Sequence, residues 1–148
     1  MGFFSQERKG DAFTLIELLV TVVIVSILVA LALPIFPKAI ESTKAKEALT
    51  ALRQIKTAER IYRIEENDYW PVGSTETDIG IINGKLRLKL DERAERNWDY
   101  SISATAEPDT FTAEAIRTTG SYSGQTIVFN QDGLDKSSST WTLPLPSQ

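Results

Sequence analysis

Cysteine and histidine are both absent from these 148 residues. Without cysteine there are no disulfides, no thiol catalysis and no cysteine-based metal sites. The compartment stays open, because exported proteins can also lack it. Without histidine, Ser-His-Asp triads, imidazole general bases and His-ligated zinc are excluded. Long basic runs are missing too, and the net charge is −4, which disfavours nucleic-acid binding through a broad electrostatic patch. No Gly-rich phosphate loop, dinucleotide motif or carboxylate pair of usable spacing occurs, and none of the asparagines begins a glycosylation sequon. These gaps point away from an enzyme.

What is present is unevenly distributed. Hydrophobic residues make up 42% of the chain and charged residues 24%, but the first forty positions hold a disproportionate share of the apolar ones. The polar, Ser/Thr-rich remainder buries only a small core, which gains from packing against a long helix or neighbouring copies. Phe13 to Leu33 is apolar apart from Thr14, Glu17, Thr21 and Ser26. As a helix it spans roughly 30 Å, the thickness of a bilayer core, and its hydroxyls can bond back to the preceding turn. The run exceeds the roughly 7–15 residues of a secretory signal peptide, and Pro34 and Pro37 follow it rather than a small-residue cleavage site. The polar-to-apolar boundary lies before it, where small Ala12 meets large Phe13. A carboxylate inside such a segment costs about 2.5–3.5 kcal/mol on insertion scales, so Glu17 needs a reason to exist. Flanking charge favours the C-terminal side in the cytoplasm, against an outward head: Arg8 and Lys9 precede the segment, but Lys38, Lys44 and Lys46 follow it.

The stretch Ala12-Phe13-Thr14-Leu15-Ile16-Glu17-Leu18-Leu19-Val20 resembles the class III leader of bacterial type IV pilins and type II secretion pseudopilins. The resemblance implies that a membrane peptidase cuts after Ala12, methylates the new N-terminal Phe13, and leaves Glu17 at the fifth mature position. Pro34 falls where family members carry a helix-disrupting proline, and Pro37 extends that junction. One departure is visible: the family commonly has Gly before the cut, and Gly10 lies two residues too early to serve. The resemblance further implies an inner-membrane anchor with an extracytoplasmic head and a homopolymer assembled through the N-terminal helix. Lipid would surround that helix before assembly, and an assembly platform with a separate ATPase would drive it.

The chemistry of Glu17 agrees. Cutting before Phe13 creates a positive amine at the head of an apolar helix, and a carboxylate four residues on lies on the same helix face. Pairing with its own amine or with that of a neighbouring copy lowers the cost of burying both charges; a pair between copies also sets axial register.

After Pro37 the pattern turns amphipathic. Ala45, Ala48, Leu49, Leu52, Ile55, Ala58 and Tyr62 recur at spacings of three and four, one face of a helix. Lys44, Lys46, Glu47, Arg53, Lys56, Glu59, Arg60 and Arg63 occupy the rest. Glu41/Lys44 and Glu59/Arg63 are spaced to attract, and Lys56/Arg60 to repel. The helix is expected from about Thr14 to Glu66, bent or loosened at the two prolines.

Turn residues and Pro71 end it. Tyr69 and Trp70 are expected to pack onto a head, and Ile79–Gly84 reads as a short helix or a turn. Leu86, Leu88 and Leu90 alternate with Arg87 and Lys89 as in a strand. Firmer strands are expected at Trp98–Ala104, Thr110–Arg117 and Thr126–Asn130, with a last edge strand at Thr140–Leu143. The fold expected is therefore α+β: a long N-terminal helix on a small antiparallel meander. Residues 1–12 form the leader, 13–36 the apolar helix, 37–66 its amphipathic half, 67–97 a connecting loop and 98–148 the head. No cofactor is expected. Asn130, Asp132 and Asp135 around Gly133 form a weak calcium candidate, against the simpler reading of a hairpin turn.

The function read from all this is a structural subunit of a type IV pilus-like filament. The alternatives are a major pseudopilin of a type II secretion system, a minor tip subunit, or an anchored extracytoplasmic binding domain that never polymerises.

Overall fold

The computed structural model describes residues 13–33, 36–106 and 109–145. They divide into two units, one ending at Ala39 and one running from Ile40 onward. The first contains helix α1, Leu15–Ala32. Thr14 caps its start with an extended backbone, and its hydroxyl accepts the Glu17 N–H at 3.2 Å. The polar residues within the helix close onto it as expected: Thr21 Oγ1 donates to Leu18 O at 2.8 Å and Ser26 Oγ to Val22 O at 2.7 Å. No residue of α1 is buried.

Helix α2, Phe36–Glu66, begins after Pro34 and Ile35, which lie outside the described residues. Pro37 is its second residue, where a missing N–H costs no intrahelical bond. Asn67 ends it in the left-handed region and donates its N–H to Arg63 O at 2.9 Å, a C-cap open to asparagine.

In the second unit α2 lies on an antiparallel sheet of five strands in the sequential order of a meander: β1 Thr75–Glu76, β2 Trp98–Thr105, β3 Thr110–Arg117, β4 Thr126–Asn130 and β5 Leu134–Asp135. Its pairing explains how a helix fits closely above it. On the inward face Trp98 stands opposite Arg117, Tyr100 opposite Ala115, Ile102 opposite Ala113, and Ala104 opposite Phe111. Small residues across from large ones leave room for the Ala45, Ala48, Leu49, Leu52 and Ile55 face of α2, and all of these are buried together. The Trp98 indole N–H donates to Lys44 O at 2.9 Å, tying strand to helix. Tyr69 is buried with its ring 4.9 Å from that of Phe111, as expected for an aromatic packed on the head.

Three expectations are corrected. Leu86–Leu90 is not a strand: Ile79–Leu86 forms helix α3, Arg87 caps it in the left-handed region, and the chain then runs irregularly. Asp78 starts α3 by accepting the Ile81 N–H at 3.0 Å. The Asn83 amide takes the place of a pairing strand, accepting from Leu90 N at 2.7 Å and donating to Leu90 O at 3.0 Å. Thr140–Leu143 is not an edge strand either. Both Thr140 N and Trp141 N converge on Thr126 O, and the edge is supplied by β5 instead. The Glu59/Arg63 pair does not form: Arg63 pairs with Asp109, and Glu59 is buried.

Candidate functional site

Two constellations stand out, one in each unit. The first is the start of α1. Its apolar side chains are largely exposed among the described residues: Phe13 is 80% exposed, Leu15 84% and Leu31 65%. By length and composition, a helix that can cross a membrane starts here. Glu17 sits in the first turn, where the helix dipole favours a negative charge, and among the described residues it has no ion-pair partner. Phe13 precedes the helix and Thr14 is extended. In this chain, which still carries residues 1–12, Phe13 and Glu17 therefore do not share a helix face. Ala12 and Pro34, named from sequence with them, lie outside the described residues. The signal for the cap was present in the Thr14-x-x-Glu17 spacing, half of a capping box.

The second constellation fastens α2 to the sheet. The Arg117 side chain is fully buried and reaches Glu41 twice, through Nε to Oε2 at 3.0 Å and Nη2 to Oε1 at 3.2 Å. Its Nη1 donates to Asn97 O at 2.7 Å. Lys44 adds the expected contact to Glu41 at 3.1 Å. The Arg117 guanidinium, followed by Lys44, holds the Glu41 carboxyl below its usual range against the opposing effect of burial. Glu59 is the contrary case. Its Oε2 accepts the Trp70 N–H at 3.0 Å, and its Oε1 has no partner among the described residues. Burial pushes its pKa up to about 7.

Two of the calcium candidates, Asn130 and Asp135, are engaged in their own turns. Asn130 Oδ1 accepts from the N–H groups of Asp132 and Gly133. The Asp135 carboxylate is occupied by Ser137 and Ser138, whose hydroxyls hold its pKa down to about 2. Gly133, with φ +136°, closes the turn between β4 and β5. Among the described residues no group of three or more acidic side chains could hold a metal ion.

Comparison with known proteins bears on the first constellation. The prokaryotic N-terminal methylation motif matches residues 8–33. The chain is 39% identical over 103 residues to the type IV major pilin protein PilA of Myxococcus xanthus (strain DK1622). That match takes in 70% of this chain and 40% of the relative, so the chain spans well under half the relative's length. No solved structure matches.

Proposed function

Because the chain belongs to the type IV pilin family, we propose that it is the structural subunit of a pilus-like filament. The observation that carries this is α1: a helix with no buried residue, one carboxylate in its first turn, and the methylation motif matched along its whole length. Apolar surface of that extent needs a cover, worth about 25 cal/mol per Å² removed from water. Lipid supplies it before assembly and other copies supply it afterwards, so the chain moves from membrane to filament without exposing α1 to water.

Processing creates a cationic partner for Glu17. A prepilin peptidase hydrolyses the bond between Ala12 and Phe13 and leaves an amine on Phe13, which is then methylated and stays cationic. Thr14 caps the helix in an extended conformation, which favours pairing between copies over self-pairing across one helical turn. Each Glu17 would then meet the amine of a neighbour, neutralising two charges that are costly to bury singly and fixing the axial step. Pro34 marks the junction between the two helices. The head remains extracytoplasmic, and an assembly platform with its own ATPase supplies the work.

The test is electron microscopy of filaments sheared from cells, with peptide identification and mass measurement of the N-terminal peptide. The expected result is this chain as the filament's main component, beginning at N-methyl-Phe13. A chain retaining Met1, or absence from any filament, would overturn the reading.

A further inference from the structure

The chain leaving α2 crosses without regular structure to β1 at the edge of the sheet. It is fastened at both ends and in the middle. Asn67 N–H reaches Arg63 O at 2.9 Å, and Gly73 N–H reaches Ala104 O at 2.9 Å. Between them Trp70 N–H reaches Glu59 Oε2 at 3.0 Å. Tyr69 and Pro71 are buried beneath this strap, while Val72 and Gly73 are exposed.

The middle fastening rests on an acid set in the core. Glu59 is fully buried on the inner face of α2, and its Oε1 has no partner among the described residues. A neutral carboxyl tolerates that position. A carboxylate needs either a cation or several hydrogen bonds.

The cations around it are engaged elsewhere. On α2, Lys56 lies beside the Gly133 turn, Arg60 donates to Gln131 O, and Arg63 pairs with Asp109. From α3, Lys85 lies over the Tyr62 ring, and from β3, Arg117 is held by Glu41. The remaining titratable groups of the surrounding elements are Asp68 and Tyr69 in the strap, Glu76 in β1, Tyr100 in β2 and Asp132 in the β4–β5 turn, none of them a cation. Burial alone pushes Glu59 up to about 7, and the opposing influence is the single Trp70 N–H. That N–H would hold a carboxylate more firmly than an acid, but one bond does not offset the burial of a charge.

We propose that Glu59 is a proton-operated latch: with its carboxyl protonated the strap lies closed on α2, and with it ionised the strap lifts between Asn67 and Gly73 so that water reaches the carboxylate. The proton passes to solvent. The closed form binds it more tightly than the open one, so closure is complete below the ordinary carboxyl range and weakens as pH rises through about 7. The pivots are the two outer fastenings, and the sheet beneath stays paired. The latch needs neither α1 nor a second copy, so it stands apart from the filament reading.

The test is native-state hydrogen exchange on the full detergent-solubilised chain, read at the Trp70 amide and at Ala113 and Ala115 in β3, at pH 5 and pH 8. Rates are corrected for the intrinsic pH dependence of exchange. The Trp70 amide should lose protection by roughly 10- to 100-fold at the higher pH. Its exchange should also be insensitive to low denaturant, as in a local opening, whereas Ala113 and Ala115 exchange only through denaturant-sensitive unfolding. In Glu59→Gln the protection of Trp70 should be the same at both pH values. Equal protection of Trp70 at the two pH values in the unaltered chain would overturn the latch. So would loss of that protection only through the unfolding that β3 reports, or a pH difference that persists in Glu59→Gln. The two measurements on the unaltered chain decide the matter even where the variant does not fold.

Discussion

Glu59 offers one carboxyl oxygen to the backbone N–H of Trp70 at 3.0 Å and buries the other without a partner among the described residues. The contact ties the last turns of α2 to the segment leaving it. Burial favours the protonated acid, with a pKa of about 7. The folded state therefore binds this proton more tightly than the unfolded chain. The stability it contributes is complete below the ordinary carboxyl range and is lost as pH rises through about 7.

The detergent-solubilised chain should accordingly unfold more easily at pH 8 than at pH 5, by an amount on the order of 2–3 kcal/mol. Glu59→Gln keeps an acceptor for Trp70 and should flatten that dependence. Denaturant titration at the two pH values measures it, and an unchanged slope in the variant would contradict the assignment.

Arg117 and Glu41 make the opposite prediction. Their pair holds the Glu41 carboxyl ionised, so its contribution is present above the ordinary carboxyl range and fades as pH falls through the depressed value. Arg117→Met should cost about 1.5–3 kcal/mol, because it removes the charge-assisted bonds to Glu41 and the bond to Asn97 O, while Lys44 still pairs with Glu41. Adding Glu41→Leu to Arg117→Met should recover much of the loss. Equilibrium unfolding of both variants tests this, and a double variant no better than the single would argue against the pair.

How much of this could be read without coordinates depends on the range of the interaction. The seven positions predicted for the inner face of α2 are buried or half-buried, because helical periodicity is local. Thr110–Arg117 and Thr126–Asn130 match their strands residue for residue. By charge Glu59 belongs with the residues off the apolar face, yet it stands four residues after Ile55 and three before Tyr62, squarely in the apolar register. That spacing was the available signal. Arg117 and Glu41 are 76 residues apart, and no local pattern announces such a pair. Leu86, Leu88 and Leu90 imitate a strand by alternation alone. What decides against it is the Asn83 side chain, which takes both backbone groups of Leu90.

That last contact is itself testable. Asn83→Ala removes both bonds to a buried residue and should cost about 1–3 kcal/mol. Hydrogen exchange should show the Leu90 amide losing protection while amides in the centre of β3 keep theirs. Retained protection at Leu90 would mean that the asparagine is not what holds it.

Central to the proposed function is the carboxylate of Glu17 in the first turn of an otherwise uncharged helix. The most direct measurement is the yield of surface filaments from cells carrying Glu17→Ala, scored by electron microscopy beside the membrane content of the same chain. Normal insertion with filaments lost is the expected result. Filaments of normal number and symmetry would contradict the role given to Glu17, and with it the proposed pairing to the amine of a neighbouring Phe13.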